Sequence, residues 1–344
     1  MVTEIKADQR IGVVGAGSWG TALANLLATK GYGVDLWAYE PEVKEDILNH
    51  RENSLFLPDI TLSERIVPSN DIGEVVSNNR VVLIVVPSHT MRQVALEMAK
   101  HIAKDTIIIT ASKGIEDKTY LTMTGVLEQT LPMLDPDHLV ALSGPSFAKE
   151  VAWKVPTAIS VACKNLEIAT LVQHMFATDY FRIYVNDDPM GLEVGGAVKN
   201  IIAIAAGFVD GMGLGLNTRA AVITRGLAEI RRLGMRLGAN PHTFSGLSGV
   251  GDLILTCTGD LSRNYTVGKE LGQGRTIAEI QAKRRTVAEG VKNTRSVYNL
   301  AKKLGIELPI INEVYKALYE GSTPEKAVKR LMTRPLGNET SELV

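Results

Sequence analysis

The strongest constraint on the fold of this chain lies in Ile11–Gly20, which reads I-G-V-V-G-A-G-S-W-G. A run of apolar, mostly β-branched residues ends at Gly15, and a helical pattern of apolar residues begins at Trp19. A strand, a glycine turn and a helix start in this order are the parts of a dinucleotide-binding site. The start of the helix offers unpaired N–H groups and a partial positive charge to phosphates. This segment therefore predicts dinucleotide binding.

Each glycine of the turn has its own predicted task. Gly15 permits the tight turn, Gly17 lets the backbone approach a pyrophosphate, and Gly20 lets the helix pack closely on the strand. Glycine turns also occur for purely structural reasons, so the pattern alone is weak evidence. Its place between a strand and a helix makes dinucleotide binding the favoured interpretation.

Composition narrows the range of partners. The length of 344 residues suggests about two domains, each with a sizeable core. A formal net charge of -1 gives no electrostatic footprint for nucleic acid or for an anionic membrane. Residues Met1–Arg10 lack the apolar core of a secretory signal, and no run approaches the ~18 uncharged apolar residues of a membrane helix. We therefore expect neither a nucleic-acid partner nor a membrane span.

The cysteine content indicates the compartment. Cys163 and Cys257 are the two cysteines of the chain, and they match neither a metal-binding spacing nor a disulfide framework. This usage fits a reducing environment, so we expect a cytoplasmic protein without a metal site.

The N-terminal half alternates between short apolar runs and helical patterns. Strands are predicted at Val34–Tyr39, Val81–Val86, Thr106–Thr110, His138–Leu142, Thr157–Ala162 and Phe181–Val185, and helices at Pro41–His50, Thr90–Lys100 and Leu166–Phe176. The segment Asn53–Asn70 is predicted to be irregular because two prolines interrupt it. Beyond Asp188 only helical patterns occur. The predicted fold is α/β: an N-terminal Rossmann-type domain with a mostly parallel sheet, residues 1–188, followed by an all-α C-terminal domain, residues 189–344.

Three predicted strands are followed by small, polar or cationic residues. These residues are Pro87-Ser88-His89, Ala111-Ser112-Lys113-Gly114 and Ser143-Gly144-Pro145-Ser146. In an open α/β sheet, ligands bind beyond the carboxyl ends of the strands. Lys113 lies at such an end, so it is a predicted site residue rather than an ordinary solvated lysine.

The end of the second strand leaves the choice between NAD and NADP open. NAD-specific proteins normally carry an acid there, which binds the adenosine ribose hydroxyls. Ala38 takes that position, so no carboxylate repels the 2′-phosphate of NADP, and Tyr39 offers no cation to attract it. Glu40 is equally well explained as a solvated residue at a helix start.

A lysine lies in the middle of an apolar helical pattern, Gly191–Val209. Lys199 has two interpretations here. Its ammonium group reaches water from the apolar helix, or it is partly buried with a lowered pKa that suits proton transfer. The position alone favours the first interpretation, because buried lysines are rare.

Polar residues recur at helical spacing further along the chain. Asp252 and Thr256 are four residues apart and share one face of a predicted helix. Ser262 is a predicted N-cap, followed by Arg263 and Asn264 in the first turn of the next helix. An arginine at a helix start is unfavourable for the helix dipole. An anionic ligand therefore explains it better than stability does.

The ordered motifs resemble those of one family, the bacterial NAD(P)-dependent glycerol-3-phosphate dehydrogenases. The matching runs are G-A-G-S-W-G-T-A-L-A, V-V-P-S-H, S-K-G, S-G-P-S-F-A-K-E, G-G-A-V-K-N-I-I-A-I, T-R-G-L-A-E, G-D-L-I-L-T-C-T, S-R-N and E-G-V-K-N-T. They keep the family order from Ile11 to about Leu331 and so cover nearly the whole chain. So many ordered matches are far more specific than any single motif.

The resemblance implies reversible hydride transfer between NAD(P)H and dihydroxyacetone phosphate, giving sn-glycerol 3-phosphate for phospholipid synthesis. It implies Lys199 as the catalytic residue. The implied substrate-binding residues are Lys113, Gly144, Ser146, Lys199, Asp252, Ser262, Arg263 and Asn264. With the glycine turn and Tyr39 included, the cofactor-binding residues are Gly15, Gly17, Ser18, Trp19, Gly20, Tyr39, Lys113, Ala148, Arg263, Val287 and Glu289. Tyr39 stands where many family members carry Arg or His.

This chemistry agrees with the residue types. Ketone reduction needs a proton donor near the oxygen and positive charge for the developing alkoxide, and Lys199 supplies both.

Two alternative functions stay open. A dehydrogenase of the same build that acts on a 3-hydroxy acid or sugar acid would recognise a carboxylate instead of a phosphate. A non-catalytic dinucleotide sensor would have no use for Lys199, Asp252 and Arg263 together. A homodimer is a candidate assembly.

Overall fold

The computed structural model describes residues 9–282 and 288–339. These residues form two compact units. The first unit contains the described residues up to 113 together with Met123–Pro189. The second contains Gly114–Thr122 and the described residues from 190 onward. The short segment Gly114–Thr122 thus belongs to the helical unit, although it precedes the predicted domain boundary at residue 188.

The first unit is built on a single eight-stranded sheet. Its strands are β1 (Arg10–Val14), β2 (Gly33–Trp37), β3 (Ile66–Ser69), β4 (Val81–Ile84), β5 (Ile107–Thr110), β6 (Leu139–Ser143), β7 (Thr157–Ala162) and β8 (Phe181–Asn186). The spatial order is β3-β2-β1-β4-β5-β6-β7-β8, and the β6–β7 pair alone is antiparallel. From β3 to β6 this is the strand order of a Rossmann fold. The predicted Rossmann-type, mostly parallel sheet is confirmed.

Helices cover this sheet. They are α1 (Ser18–Thr29), α2 (Pro41–His50), α3 (Ile72–Ser77), α4 (Met91–Met98), α5 (Met123–Thr130), α6 (Ala148–Ala152) and α7 (Leu166–Phe176). Every residue of β4, β5 and β6 is buried. Continuous burial of this kind is typical of parallel strands that are covered on both faces, and it explains their uninterrupted apolar sequences.

One prediction for this unit was wrong. Ile66–Ser69 forms β3, although it lies within the segment predicted to be irregular. The proline that suggested irregularity, Pro68, faces Leu36 across a parallel pairing with β2. Because β3 is the edge strand of the sheet, it needs hydrogen bonds on one side only, and an edge strand tolerates proline.

The second unit is helical, as predicted. Its helices are α8 (Pro189–Gly211), α9 (Gly215–Arg236), α10 (Asp252–Thr258), α11 (Arg263–Gly272), α12 (Ile277–Ala282), α13 (Glu289–Leu304), α14 (Pro309–Tyr319) and α15 (Pro324–Met332). No strand occurs in the described residues from 190 onward. A short π-helical segment, Leu247–Gly251, leads directly into α10.

Helix α8 is the core of the second unit. Of its 23 residues, 18 are buried. By length and apolar composition it qualifies as a membrane-spanning helix, but 94% of its most apolar window is buried inside the structure. The apolar character of α8 is therefore accounted for by packing within the unit.

Helices α8 and α11 pack with their backbones in contact. A Cβ atom added to Gly207 would lie 2.1 Å from the carbonyl oxygen of Tyr265, and one added to Gly268 would lie 2.0 Å from that of Ile204. Contacts this short leave no room for any side chain. We call the glycines of this contact, Gly207 and Gly211 on α8 with Gly268 and Gly272 on α11, the glycine seam.

A buried carboxylate joins α9 to α14. Glu229 is 4% exposed and accepts hydrogen bonds from the backbone N–H groups of Ile310 (2.6 Å) and Ile311 (3.1 Å). Burial raises the pKa of Glu229 to about 7, even though these hydrogen bonds act in the opposite direction.

Candidate active site

The turn between β1 and α1 has the geometry predicted from its glycines. Gly15 has a φ of +115°, and a Cβ there would lie 2.4 Å from the carbonyl oxygen of Val85. A Cβ on Gly20 would lie 1.9 Å from the carbonyl oxygen of Gly15. Around Gly17 a Cβ would meet nothing within 4 Å. The tight turn and the close helix packing are therefore confirmed, and open space lies in front of the middle glycine.

The start of α1 fits a phosphate group. Gly17 is the N-cap and provides no side chain to bond the first N–H groups of the helix, and the first turn contains no acidic residue. The hydroxyl of Ser18 donates to the carbonyl oxygen of Phe56 at 2.5 Å. Helix N–H groups beside open space are the means by which such folds bind a pyrophosphate, so these residues fit a dinucleotide.

The end of β2 carries no charged side chain directly after the strand. Ala38 is fully buried, and its carbonyl oxygen accepts a hydrogen bond from Asn70 at 2.7 Å. Tyr39 is 77% exposed and packs edge-on against Trp37, with ring centroids 6.0 Å apart.

At the carboxyl end of β6 the structure brings together three of the predicted residues of the first unit. Gly144 has a φ of +153°, a backbone angle that residues with a side chain rarely adopt. Its carbonyl oxygen accepts hydrogen bonds from the Lys113 ammonium group at 3.4 Å and from the Ser146 hydroxyl at 3.1 Å. Ala148 begins α6 a short distance further on. Lys113 follows β5, so it lies at the sheet edge where it was predicted.

In the second unit, Lys199 on α8 is paired with residues of α10. Lys199 is 7% exposed and Asp252 is completely buried. The ammonium group of Lys199 forms an ion pair with Asp252 and donates to the hydroxyl of Thr256 at 2.8 Å. That hydroxyl donates its own proton to the backbone carbonyl oxygen of Asp252 at 2.6 Å. Lys199 is therefore held inside the protein, and the solvated interpretation was wrong.

A second polar contact joins α8 to α11. The side-chain amide of Asn264 donates to the side-chain oxygen of Asn200 at 2.9 Å, and its oxygen accepts from the backbone N–H of Gly290 at 2.9 Å. Both asparagines are buried. Asn200 directly follows Lys199, so α11 is bonded to α8 beside the buried ion pair.

The start of α11 agrees with its prediction. Ser262 is the N-cap, and its hydroxyl oxygen accepts from the backbone N–H of Tyr265 at 3.2 Å. Arg263 is exposed in the first turn. Glu289 begins α13, and Val287 lies outside the described residues.

Thr256, which contacts Lys199, and Asn200, which contacts Asn264, were not assigned to the site from the sequence. Thr256 could have been predicted, because it shares a helix face with Asp252. For Asn200 the sequence offered only its position directly after Lys199. Its partner on α11 is 64 residues away in the sequence, so local spacing could not identify the contact.

Together, the sheet order, the open glycine turn and the buried lysine–carboxylate pair define the class: a Rossmann-fold oxidoreductase that uses a nicotinamide dinucleotide. Among residues 9–282 and 288–339 no group of three or more His, Cys, Asp or Glu side chains could hold a metal ion.

Comparison with known proteins identifies the family. Residues 10–169 match the model of the NAD-dependent glycerol-3-phosphate dehydrogenase N-terminus, and residues 188–329 match that of its C-terminus. The chain belongs to the NAD-dependent glycerol-3-phosphate dehydrogenase family.

Similar proteins span nearly the full length of the chain. It is 55% identical over 331 residues to the glycerol-3-phosphate dehydrogenase [NAD(P)+] of Citrifermentans bemidjiense, covering 96% of this chain and 99% of that protein. The enzyme of the same description from Syntrophobacter fumaroxidans is 53% identical, with 97% and 98% covered. The crystal structure of glycerol-3-phosphate dehydrogenase from Coxiella burnetii superposes with a TM-score of 0.92 at 39% identity, covering 96% of this chain and all of that one.

Proposed function

We propose that this protein catalyses the reversible reduction of dihydroxyacetone phosphate to sn-glycerol 3-phosphate with NADH or NADPH, for glycerophospholipid synthesis. The observation that carries the proposal is the buried Lys199–Asp252 ion pair in a chain of this family. Burying a charged lysine among apolar residues costs free energy of desolvation, which a paired carboxylate offsets. A catalytic role explains why the lysine is buried there, because carbonyl reduction needs a proton and a positive charge at one oxygen atom.

Lys199 is the proposed catalytic residue. Its ammonium group protonates the carbonyl oxygen during reduction and takes the proton back during oxidation. Asp252 holds the ammonium group, and Thr256 fixes its direction by accepting a hydrogen bond from it. In this arrangement the lysine is oriented before substrate arrives, so little reorganisation is needed during the reaction.

Residues 1–188 are the proposed dinucleotide-binding domain. When bound, the nicotinamide supplies or accepts the hydride. Gly17 admits the pyrophosphate to the backbone, and the first N–H groups of α1 bind it. The proposed cofactor-binding residues are Gly15, Gly17, Ser18, Trp19, Gly20, Tyr39, Lys113, Ala148, Arg263, Val287 and Glu289.

Residues 189–344 are the proposed substrate-binding and catalytic domain. Arg263 binds the substrate phosphate from the first turn of α11, where backbone N–H groups reinforce its positive charge. The proposed substrate-binding residues of this domain are Lys199, Asp252, Ser262, Arg263 and Asn264, and those of the first unit are Lys113, Gly144 and Ser146. We further propose a cytoplasmic location and a homodimer.

The proposal is tested by asking whether Arg263 distinguishes a phosphorylated ketone from an unphosphorylated one. Dihydroxyacetone has the same reacting carbonyl but no anion, so Arg263→Ala should hardly affect its slow reduction. With dihydroxyacetone phosphate, a dianion loses its partner, at a cost of about 2 to 5 kcal/mol. This corresponds to a loss of roughly 30- to 3000-fold in kcat/KM, measured at saturating NADH.

Arg275→Ala is the matched control. Arg275 is also an arginine of the second unit, and it pairs with Glu270 rather than with a proposed ligand. Both ketones should be reduced normally by this variant. Equal losses for the two ketones in Arg263→Ala would contradict the phosphate role and would favour the dehydrogenase that recognises a carboxylate.

A further inference from the structure

A carboxylate, a phenol and a guanidinium meet near the C-terminal end of α8. The hydroxyl of Tyr265 on α11 donates a hydrogen bond to the carboxylate of Asp210 on α8. Arg219 on α9 donates a hydrogen bond to the same carboxylate at 2.7 Å. Tyr265 is 4% exposed. Burial, reinforced by the neighbouring Asp210, raises the pKa of Tyr265 to about 12. The phenol therefore keeps its proton throughout the neutral range and remains a donor to Asp210.

This cluster lies next to proposed site residues in the sequence. Tyr265 follows Arg263 and Asn264 directly, so all three share the first turn of α11. Asn264 is bonded to Asn200 near the middle of α8, whereas Tyr265 is bonded near its end. The first turn of α11 is thus joined to α8 by polar contacts at two levels.

The glycine seam explains why such contacts are needed. Interlocking side chains normally set the rotation and the sliding position of two packed helices. At the seam, backbone meets backbone, and glycine has no side chain that could interlock. The seam therefore fixes how closely α8 and α11 approach, but it contributes little to the rotation of α11. The buried side chains of Val267 and Leu271 hold α11 in the core, and the hydrogen bonds of Tyr265 and Asn264 are the directional contacts that fix its rotation against α8.

We propose that Tyr265 and Asp210 are positioning residues that set the rotation of the first turn of α11 and thereby the direction of Arg263. Arg219 balances the charge of Asp210, so that the carboxylate remains an acceptor in a partly buried place. The proposal rests on the proposed function, in which Arg263 binds the substrate phosphate.

The test removes one hydroxyl. Tyr265→Phe keeps the ring, and Asp210 keeps its contact with Arg219, so the variant should fold. We expect the KM for dihydroxyacetone phosphate to rise about tenfold, while the KM for NADH and the kcat/KM for dihydroxyacetone stay within about twofold. A hydrogen bond to a charged group is worth at least this much. The quantity to measure is the ketone ratio, which is the kcat/KM for dihydroxyacetone phosphate divided by the kcat/KM for dihydroxyacetone, both at saturating NADH.

Tyr319→Phe is the matched control. The Tyr319 hydroxyl donates to the backbone carbonyl oxygen of Val291 at 2.6 Å, also within the second unit. This variant also loses one tyrosine hydrogen bond, but to a neutral acceptor, so we expect a fall in melting temperature no larger than that of Tyr265→Phe and an unchanged ketone ratio. Asp210→Asn should lower the ratio as Tyr265→Phe does, and the double variant should be no worse than the worse single variant, because both act through one contact.

The outcomes separate this proposal from the proposed function. If Tyr265→Phe leaves the ketone ratio unchanged while Arg263→Ala lowers it, Tyr265 is purely structural and the positioning proposal is overturned alone. Equal losses for both ketones in Tyr265→Phe overturn it in the same way. If Arg263→Ala itself leaves the ratio unchanged, the phosphate role fails and the positioning proposal falls with it.

Discussion

The two units build their candidate binding chemistry from different parts of the chain. In the first unit the site is mainly backbone: Gly15 and Gly20 shape a turn, open space lies around Gly17, and no side chain caps the start of α1. In the second unit it consists of side chains, with Lys199 held by Asp252 inside the core. A backbone site depends on the shape of the turn, and its partial positive charge belongs to N–H groups that a side-chain substitution does not remove. A side-chain site can lose its charge while the shape of the protein is retained, so the two regions should respond to different substitutions.

The largest expected effect is in the second unit. Lys199→Met keeps the length and apolar character of the stem but removes the proton and the charge. We expect kcat to fall by about 10² to 10⁴, the typical contribution of a general acid, while the Kd for NADH changes little. Steady-state rates with saturating dihydroxyacetone phosphate and a fluorescence titration with NADH measure the two quantities.

The same substitution leaves Asp252 buried without its partner, which itself destabilises the fold by about 3 to 5 kcal/mol. The control is the double variant Lys199→Met with Asp252→Asn, which removes the uncompensated charge. It should unfold at a higher temperature than Lys199→Met and remain as inactive. Turnover near the normal rate in the stable double variant would rule out Lys199 as the proton donor.

A pair of glycine substitutions tests the backbone site. Gly20→Ala places a Cβ against the carbonyl oxygen of Gly15, so the free energy of unfolding should fall by about 1 to 3 kcal/mol or more. Gly17→Ala meets open space and a φ of -68° that any residue adopts, so its stability should be nearly unchanged. If a pyrophosphate occupies that space, Gly17→Ala should still weaken NADH binding about tenfold. Tight NADH binding by Gly17→Ala would place the cofactor elsewhere.

The smallest expected effect concerns a side chain at the backbone site. Tyr39→Arg should add a contact to the 2′-phosphate of NADPH and raise the ratio of kcat/KM for NADPH over NADH. The change in the ratio should correspond to a free energy of roughly 1 to 3 kcal/mol. Because Tyr39 is 77% exposed, water screens this contact and the lower end of the range is expected. Tyr184→Arg, at an exposed tyrosine on the edge strand β8, adds the same charge as a control. An unchanged ratio in Tyr39→Arg would show that residue 39 is not near the ribose.

Much of the fold could be predicted because its signals are local. Strands such as Val81–Ile84 are buried on both faces, so they appear in the sequence as unbroken apolar runs. The N-cap Ser262 and the tight turn at Gly15 are likewise determined by neighbouring residues. Where the sequence misled, the missing information was tertiary. Nothing local shows that Pro68 lies on an edge strand, where it is tolerated.

The candidate site was less predictable for the same reason. The types of Lys199 and Asp252 suggested chemistry, but the burial of Lys199 depends on α10, which is 53 residues away in the sequence. Judged alone, the lysine favoured a solvated position, and only the resemblance to a family pointed to the buried one. The contact between Asn200 and Asn264 had no signal in the residue spacing, because it arises where two helices meet.

Glu229 makes folding of this protein a proton-uptake reaction under mildly acidic conditions. In the unfolded chain a glutamate releases its proton near its ordinary value of 4.5, whereas burial raises the pKa of Glu229 to about 7 in the folded chain. Between these values the folded protein holds a proton that the unfolded chain has lost. The contribution of this bound proton to the free energy of unfolding is therefore complete below about pH 4.5 and is lost as the pH rises towards 7. Ordinary paired carboxylates have the opposite dependence, so mild acidification strengthens the junction of α9 with α14 while it weakens surface ion pairs.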